Sequence, residues 1–250
     1  MKQALSLFNR LVVCGLVLAT ATVALADQRT AEVVRIKGSA RYSTGGNTWQ
    51  PLKVGTVLSA GAIVQTAQDS TVDIAFTAGM ARVHRPTFGE YISYNPTVQR
   101  DVVRMTGDTV LAFDKLTSTD TGTETITETE LDLRSGELFA NVKKVSAAST
   151  FEIKIPNGVA GIRGTFVWIR ALEFIRVGGG LVAYSYMGAA APEVVNIPDS
   201  FQWNIPEKKL EATPEGAQFP TLTSGVGNPV VVVRDLTVIT VTEATPPSGD

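Results

Sequence analysis

Apolar and polar residues alternate with a period of two along most of this chain, and the alternation is cut every few residues by glycine or proline. The clearest case is 70–77. In an extended backbone Val72, Ile74 and Phe76 point one way, and Asp73 and Ala75 point the other. Residues 32–38 alternate in the same manner and stop at Gly38, while Gly45, Gly46, Asn47, Gly55 and Gly61 punctuate the stretch up to 62. Further strand candidates are 39–42, 48–53, 63–66, 91–94, 102–105, 110–113, 138–145, 151–155, 165–169 and 181–187. Pro86 and Pro96 break the runs around them, because proline has no N–H to give a sheet ladder. Long helical periodicity is absent. The pattern predicts an all-β fold: a single domain of many short strands, solenoid-like or a twisted β-stack, with a short C-terminal tail.

The first 26 residues obey a different rule. Lys2 and Arg10 give a basic start, 11–23 is apolar and uncharged, and Ala24, Leu25 and Ala26 put small residues where a signal peptidase cuts. That order predicts a secretory signal peptide, with a mature chain starting at Asp27 and export to the periplasm or cell surface. The apolar run is shorter than the roughly 20 residues of a membrane-spanning helix, so no transmembrane span is expected in the mature chain. Cys14 lies inside the run, preceded by Val13 rather than by a small residue, so it reads as filler lost on cleavage. The mature protein then has no cysteine for a disulfide, a nucleophile or a metal. Cleavage also takes the formal charge from −2 to −4, since Lys2 and Arg10 go and no acid does. A mildly acidic chain with scattered charge is not built to neutralise phosphates, which argues against nucleic acid as a partner.

The expected organisation is therefore signal peptide 1–26, β domain 27–210 and a tail 211–250 rich in proline and glycine. Residues 117–130 form a Thr/Glu-rich insert. On a strand, Glu128, Glu130 and Asp132 share one face. That face reads as a solvated edge that discourages edge-to-edge pairing; the alternative is a calcium-binding face, which needs six or more converging oxygens. In the tail, 230–242 is strongly β-forming and is expected to add an edge strand to the main body; 245–250 reads as disordered.

The most distinctive stretch is 156–165, Pro-Asn-Gly-Val-Ala-Gly-Ile-Arg-Gly-Thr, with glycines at 158, 161 and 164. It fits neither the phosphate loop, which ends in Gly-Lys-Ser/Thr, nor the dinucleotide Gly-x-Gly-x-x-Gly pattern. Physically it reads as a tight crossing between two strands, where glycine allows close backbone approach or positive φ. Arg163 is expected to donate its fork of hydrogen bonds to carbonyls or a carboxylate, so that Arg163→Ala mainly destabilises the fold.

These residues resemble the FecR family of periplasmic domains. The resemblance rests on Gly158, Gly161, Arg163, Gly164 and Thr165, preceded by the strand at 151–155 and succeeded by Phe166, Val167 and Trp168. Upstream, Gly38, Trp49, Leu52, Gly55, Leu58, Gly61, Ile63 and Thr66 match the family's spacing. So do 70–79 and Leu133 to Leu138, and 178–194 does so more loosely. The likeness spans roughly 31–205. It implies an all-β interaction domain without catalysis. The best-known members relay a signal from an outer-membrane siderophore receptor to a sigma factor. About ten residues precede the apolar run here, too few for a cytoplasmic regulatory segment, so a sigma-factor role for this chain alone is not expected.

The chemistry-bearing residues are sparse. His84 is the single histidine and stands between arginines and a proline, which does not build a triad or a metal site. No cofactor is expected. Trp49 and Trp168 fall in family-like strands and read as core, whereas Tyr184 and Tyr186, two apart on one strand face, read as surface contacts; Trp203, Tyr91 and Tyr94 are further aromatic contacts to consider. The functional expectation is a non-catalytic interaction or envelope signalling module that binds an envelope protein or a glycan. The alternative is a carbohydrate- or peptidoglycan-binding surface module, and a hydrolase ranks below both.

Overall fold

The structure is a computed structural model. It describes residues 27–46, 48–77, 101–143, 146–220 and 222, and the backbone of 233–234 and 237–238. The signal-peptide reading, Cys14, His84, Tyr91, Tyr94 and the last residues lie outside these.

The described residues are all-β. In chain order the strands are β1 (Asp27–Gln28), β2 (Ala31–Lys37), β3 (Ala40–Ser43), β4 (Gln50–Pro51), β5 (Val57–Leu58), β6 (Ile63–Thr66) and β7 (Thr71–Phe76). Then come β8 (Val102–Met105), β9 (Val110–Asp120), β10 (Thr125–Ser135), β11 (Glu137–Val142), β12 (Thr150–Ile155), β13 (Gly158–Arg163) and β14 (Thr165–Arg170). The last are β15 (Phe174–Val177), β16 (Leu181–Met187), β17 (Pro192–Pro198), β18 (Phe201–Asn204), β19 (Lys209–Ala212), β20 (Val233–Arg234) and β21 (Thr237–Val238). They make two large sheets. Sheet A runs β17-β16-β13-β12-β10-β9-β6-β3-β4, with β1 also on β9; sheet B runs β19-β18-β15-β14-β11-β8-β7-β2-β5. All pairs are antiparallel except β10 with β12, which lie parallel because β11 between them has crossed to the other sheet. The chain thus weaves between two stacked sheets rather than finishing one before starting the next.

One apolar core fills the space between the sheets. Phe76 of sheet B meets Phe113 and Phe151 of sheet A at ring separations of 6.1 and 5.6 Å. Val72, Ile74, Leu131, Leu133, Leu138 and Ile153 around them are fully buried. At about 25 cal/mol per Å², this continuous burial is the main favourable contribution to folding.

The turns from sheet to sheet repeat a single device. At the β13–β14 corner Gly164 has φ +62°, and the next residue, Thr165, turns its hydroxyl to the neighbouring β15–β16 corner. There it accepts the Leu181 amide at 3.3 Å and lies 3.1 Å from the Leu181 carbonyl. Gly180, just before Leu181, has φ +87°, and a Cβ on it would fall 2.7 Å from the Thr165 hydroxyl. Thr109 holds the Glu137 amide after Gly136 in the same way, at 3.0 Å, and Ser70 holds the Ser39 amide after Gly38, at 2.9 Å. Thr109 and Ser70 each come directly after an aspartate at positive φ, Asp108 and Asp69. The short aspartate side chain tolerates that region nearly as glycine does.

Two expectations about position are corrected. The Thr/Glu stretch is no edge: β9 and β10 pair along their length in mid-sheet, and β12 takes the other side of β10. The crossing within 156–165 occurs only at Gly164, because Gly158–Arg163 is itself a strand, paired to β12 and β16. In the tail, β20 and β21 pair with each other, and the rest of the 230–242 stretch, where an added edge strand is expected, lies outside the described residues.

Candidate functional site

The signature strand β13 has two unlike faces. Ala160 and Ile162 point into the core, as does Gly158 by the same parity. A Cβ on Gly158 would collide with the Ser185 carbonyl and lie 2.8 Å from Cε2 and 2.9 Å from Cζ of Tyr184. Val159, Gly161 and Arg163 point outward. At Gly161 the nearest atom to an added Cβ is the Ala183 carbonyl at 3.6 Å, an ordinary contact. Arg163 is exposed, and its guanidinium makes no hydrogen bond or ion pair among the described residues. The expectation that it braces the fold is corrected. Alternation along β13 sets it on the solvent side, and the bracing falls to Gly164 and Thr165. Beside this face, Leu181, Met187 and Val194 are 49%, 68% and 68% exposed. With Ala183 and Ser185 between them, they make a smooth, weakly polar sheet surface ending at Arg163.

Tyr184 and Tyr186 also share a face, but it is the inner one. Tyr184 is 1% exposed, which corrects its reading as a surface contact, while Tyr186, one step nearer the end of the sandwich, is half-buried. Their rings stack at 5.6 Å and 17°, and Trp203 from sheet B lies 5.3 Å from Tyr186. This aromatic group floors a cleft of about 700 Å³ at the end of the sandwich, where Gly158, Pro192 and Lys208 contribute to the wall. The Lys208 ammonium lies 5.5 Å over the Tyr186 ring. Tyr186 donates to Glu193 at 2.6 Å, but the buried Tyr184 hydroxyl has no partner among the described residues. Burial pushes the Tyr184 pKa up to about 12, with a smaller push from Tyr186.

Trp49, a core residue by its strand pattern, is instead 36% exposed. It flanks the two-residue strand β4 at the edge of sheet A, and Arg41 stacks on it at 4.6 Å. Trp168 is half-buried on the outer face of sheet B, 4.9 Å from Phe139 and beneath Arg176 at 4.5 Å. The acids of β10 are matched by lysines: Lys115 meets Glu128 at 2.9 Å, and Lys154 meets Glu130 and Asp114, both at 3.1 Å. No group of three or more His, Cys, Asp or Glu among the described residues could hold a metal ion. No helix among them is long and apolar enough to cross a membrane.

The strands on either side of the Gly164 corner have known relatives. The family model described as FecR protein matches residues 96–174, which include β8 to β14, that corner and the start of β15. Residues 96–174 form a FecR domain. No curated protein matches the chain. Two crystal structures of a candidate anti-sigma factor from Parabacteroides distasonis are similar at low level. One has a TM-score of 0.39 at 15% identity, over 60% of this chain and 57% of that one. The other has 0.33 at 16%, over 44% and 49%. The chain spans about half the length of those proteins, and likeness at this level carries no argument about function. The FecR match does: it places the domain in an envelope signalling-type family.

Sequence reasoning did not find the corner staples or the role of Trp203 and Lys208 beside the tyrosines. The staples do have a signal: a residue able to take positive φ, then Ser or Thr, at the end of an alternating run. The cleft has none, because its walls come from turns far apart in the chain.

Proposed function

We propose that the protein is exported and acts at the periplasmic side or cell surface of the envelope, as a non-catalytic signalling module that binds a partner protein. The observation that carries this reading is the outward Arg163, without a side-chain partner among the described residues, at the centre of the FecR signature and at the rim of an exposed apolar sheet face. A charged fork beside flat apolar surface suits a protein partner that brings a carboxylate. Support for export is the basic, apolar, small-residue order of 1–26. The loss of the one cysteine on cleavage supports a role without nucleophilic chemistry.

Crosslinking in the native envelope, with identification of the captured protein, tests the reading. Arg163→Glu is expected to abolish capture of that protein while the melting temperature stays unchanged. Capture that is equal for both forms overturns the assignment of this face. Mass spectrometry of the exported protein is expected to find an N-terminus at Asp27, and an intact Met1 species would overturn the export reading.

A further inference from the structure

The cleft at the end of the sandwich lies at the opposite end of β13 from Arg163, shares Ser185 and Met187 with the outward face at its rim, and has its own chemistry. We propose that it binds a saccharide bearing a uronate carboxylate.

Three features lead there. The first is the Tyr184 hydroxyl. It is buried and has no partner among the described residues, and leaving such a donor unpaired is unfavourable. Gly158 lies against the Cε2–Cζ end of that ring, and both residues line the cleft. A bound acceptor oxygen completes it.

The second is the aromatic shelf of Tyr186 and Trp203, with rings 5.3 Å apart. Such rings stack on the C–H face of a sugar. The third is charge. Lys208 makes no ion pair among the described residues, and no carboxylate lines the cleft; Glu193 is turned to the Tyr186 hydroxyl and is not among the lining groups. An anionic ligand is therefore favoured over a cationic one, and a neutral ligand leaves Lys208 unused.

The same walls disfavour an extended peptide. Peptides that dock on sheets gain affinity from an open strand edge. The cleft is lined by β13, β16 and β18, which are paired on both sides. The edge strand β17 reaches the cleft only through Pro192, which has no N–H to donate.

Calorimetric titration of the protein with trigalacturonic acid, maltotriose and a proline-rich peptide with a free C-terminus tests this. Saturable binding of trigalacturonic acid is expected, with maltotriose weaker. Tyr184→Phe removes only the unpaired hydroxyl, so it should weaken the acidic sugar about tenfold, the loss of one charge-assisted hydrogen bond. Its melting temperature should be unchanged or higher. Lys208→Gln should remove the preference for the acidic over the neutral sugar. Arg163→Glu should leave sugar binding untouched, which separates this site from the protein-binding face. No binding of trigalacturonic acid, equal binding by the Tyr184→Phe variant, or tighter binding of the peptide would each overturn the proposal.

Discussion

Sheets A and B are built from the same alternating strands and share one core, yet their outer faces have opposite characters. On sheet A the outward residues of β9, β10 and β12 are charged and solvated, with Lys115, Glu128, Glu130 and Lys154 laced together at the surface. Toward β16 and β17 the same face becomes bare and apolar. On sheet B the outward residues form one row across the strands: Arg35, Asp73, Arg104, Phe139, Trp168, Arg176, Gln202 and Glu211. Most of that row is buried. Asp73 is 0% exposed and takes a two-pronged bond from Arg104 at 2.6 and 2.8 Å, with Arg35 at 2.9 Å. Farther along, Arg176 donates twice to Gln202, at 2.8 and 2.6 Å, and Gln202 donates to Glu211 at 2.6 Å. Burial, and after it the charge of Arg170, lowers the Arg176 pKa from its ordinary value. Part of this face is covered by the tail, where Phe219 and Leu222 pack on Phe166, Phe139 and Trp168. Charge of the same kind is thus a solvated coat on one sheet and a structural tie on the other.

The sharpest way to break this contrast is Asp73→Ala. It strands Arg104 without its carboxylate in a buried site, and the expected loss is about 3–5 kcal/mol by chemical denaturation. A loss below about 1 kcal/mol would mean that the sheet B row is hydrated after all. Phe219→Ala comes next. It empties the niche over Gly178, whose missing Cβ leaves room for that ring, and should cost roughly 1–2 kcal/mol while raising the binding of a hydrophobic dye. On the outer face of sheet A the effect should be far smaller. Gly161→Ala adds a methyl group to open surface and is expected to change stability by less than about 0.5 kcal/mol, whereas Gly158→Ala, two strand positions from the nearest core alanine, should cost about 1–3 kcal/mol.

Smallest of all is Glu128→Ala, within about 0.5 kcal/mol near neutral pH and vanishing in high salt. Its hydrogen bond from Lys115, then that from Thr117, holds the Glu128 carboxyl below its ordinary value. A depressed folded-state pKa stabilises only above the unfolded value, and the stabilisation is lost as pH falls through the folded one. Any difference between the wild type and Glu128→Ala should therefore disappear on acidification, measured as melting temperature against pH.

Much of this was readable in the chain alone. Alternation in 70–77 puts Val72, Ile74 and Phe76 on one side and Asp73 and Ala75 on the other, and so they stand in β7. Period two arises from the backbone of an extended strand, so it survives any tertiary arrangement. The glycines at 158, 161 and 164 and the FecR likeness were equally legible, because they are local in sequence. Alternation does not say which face is covered, or by what. Arg163 and Asp73 are both charged residues on strands, but one is exposed and the other fully buried. Alternation misplaces Tyr184 and Trp49 for the same reason. The exposure of each depends on its distance from a sheet's end or edge, and strand order alone sets that distance. The sequence by itself determined an all-β chain of short strands, with its turns and its family signature. Only the tertiary structure decided which outward faces meet water, because burial is set by segments far apart in the chain.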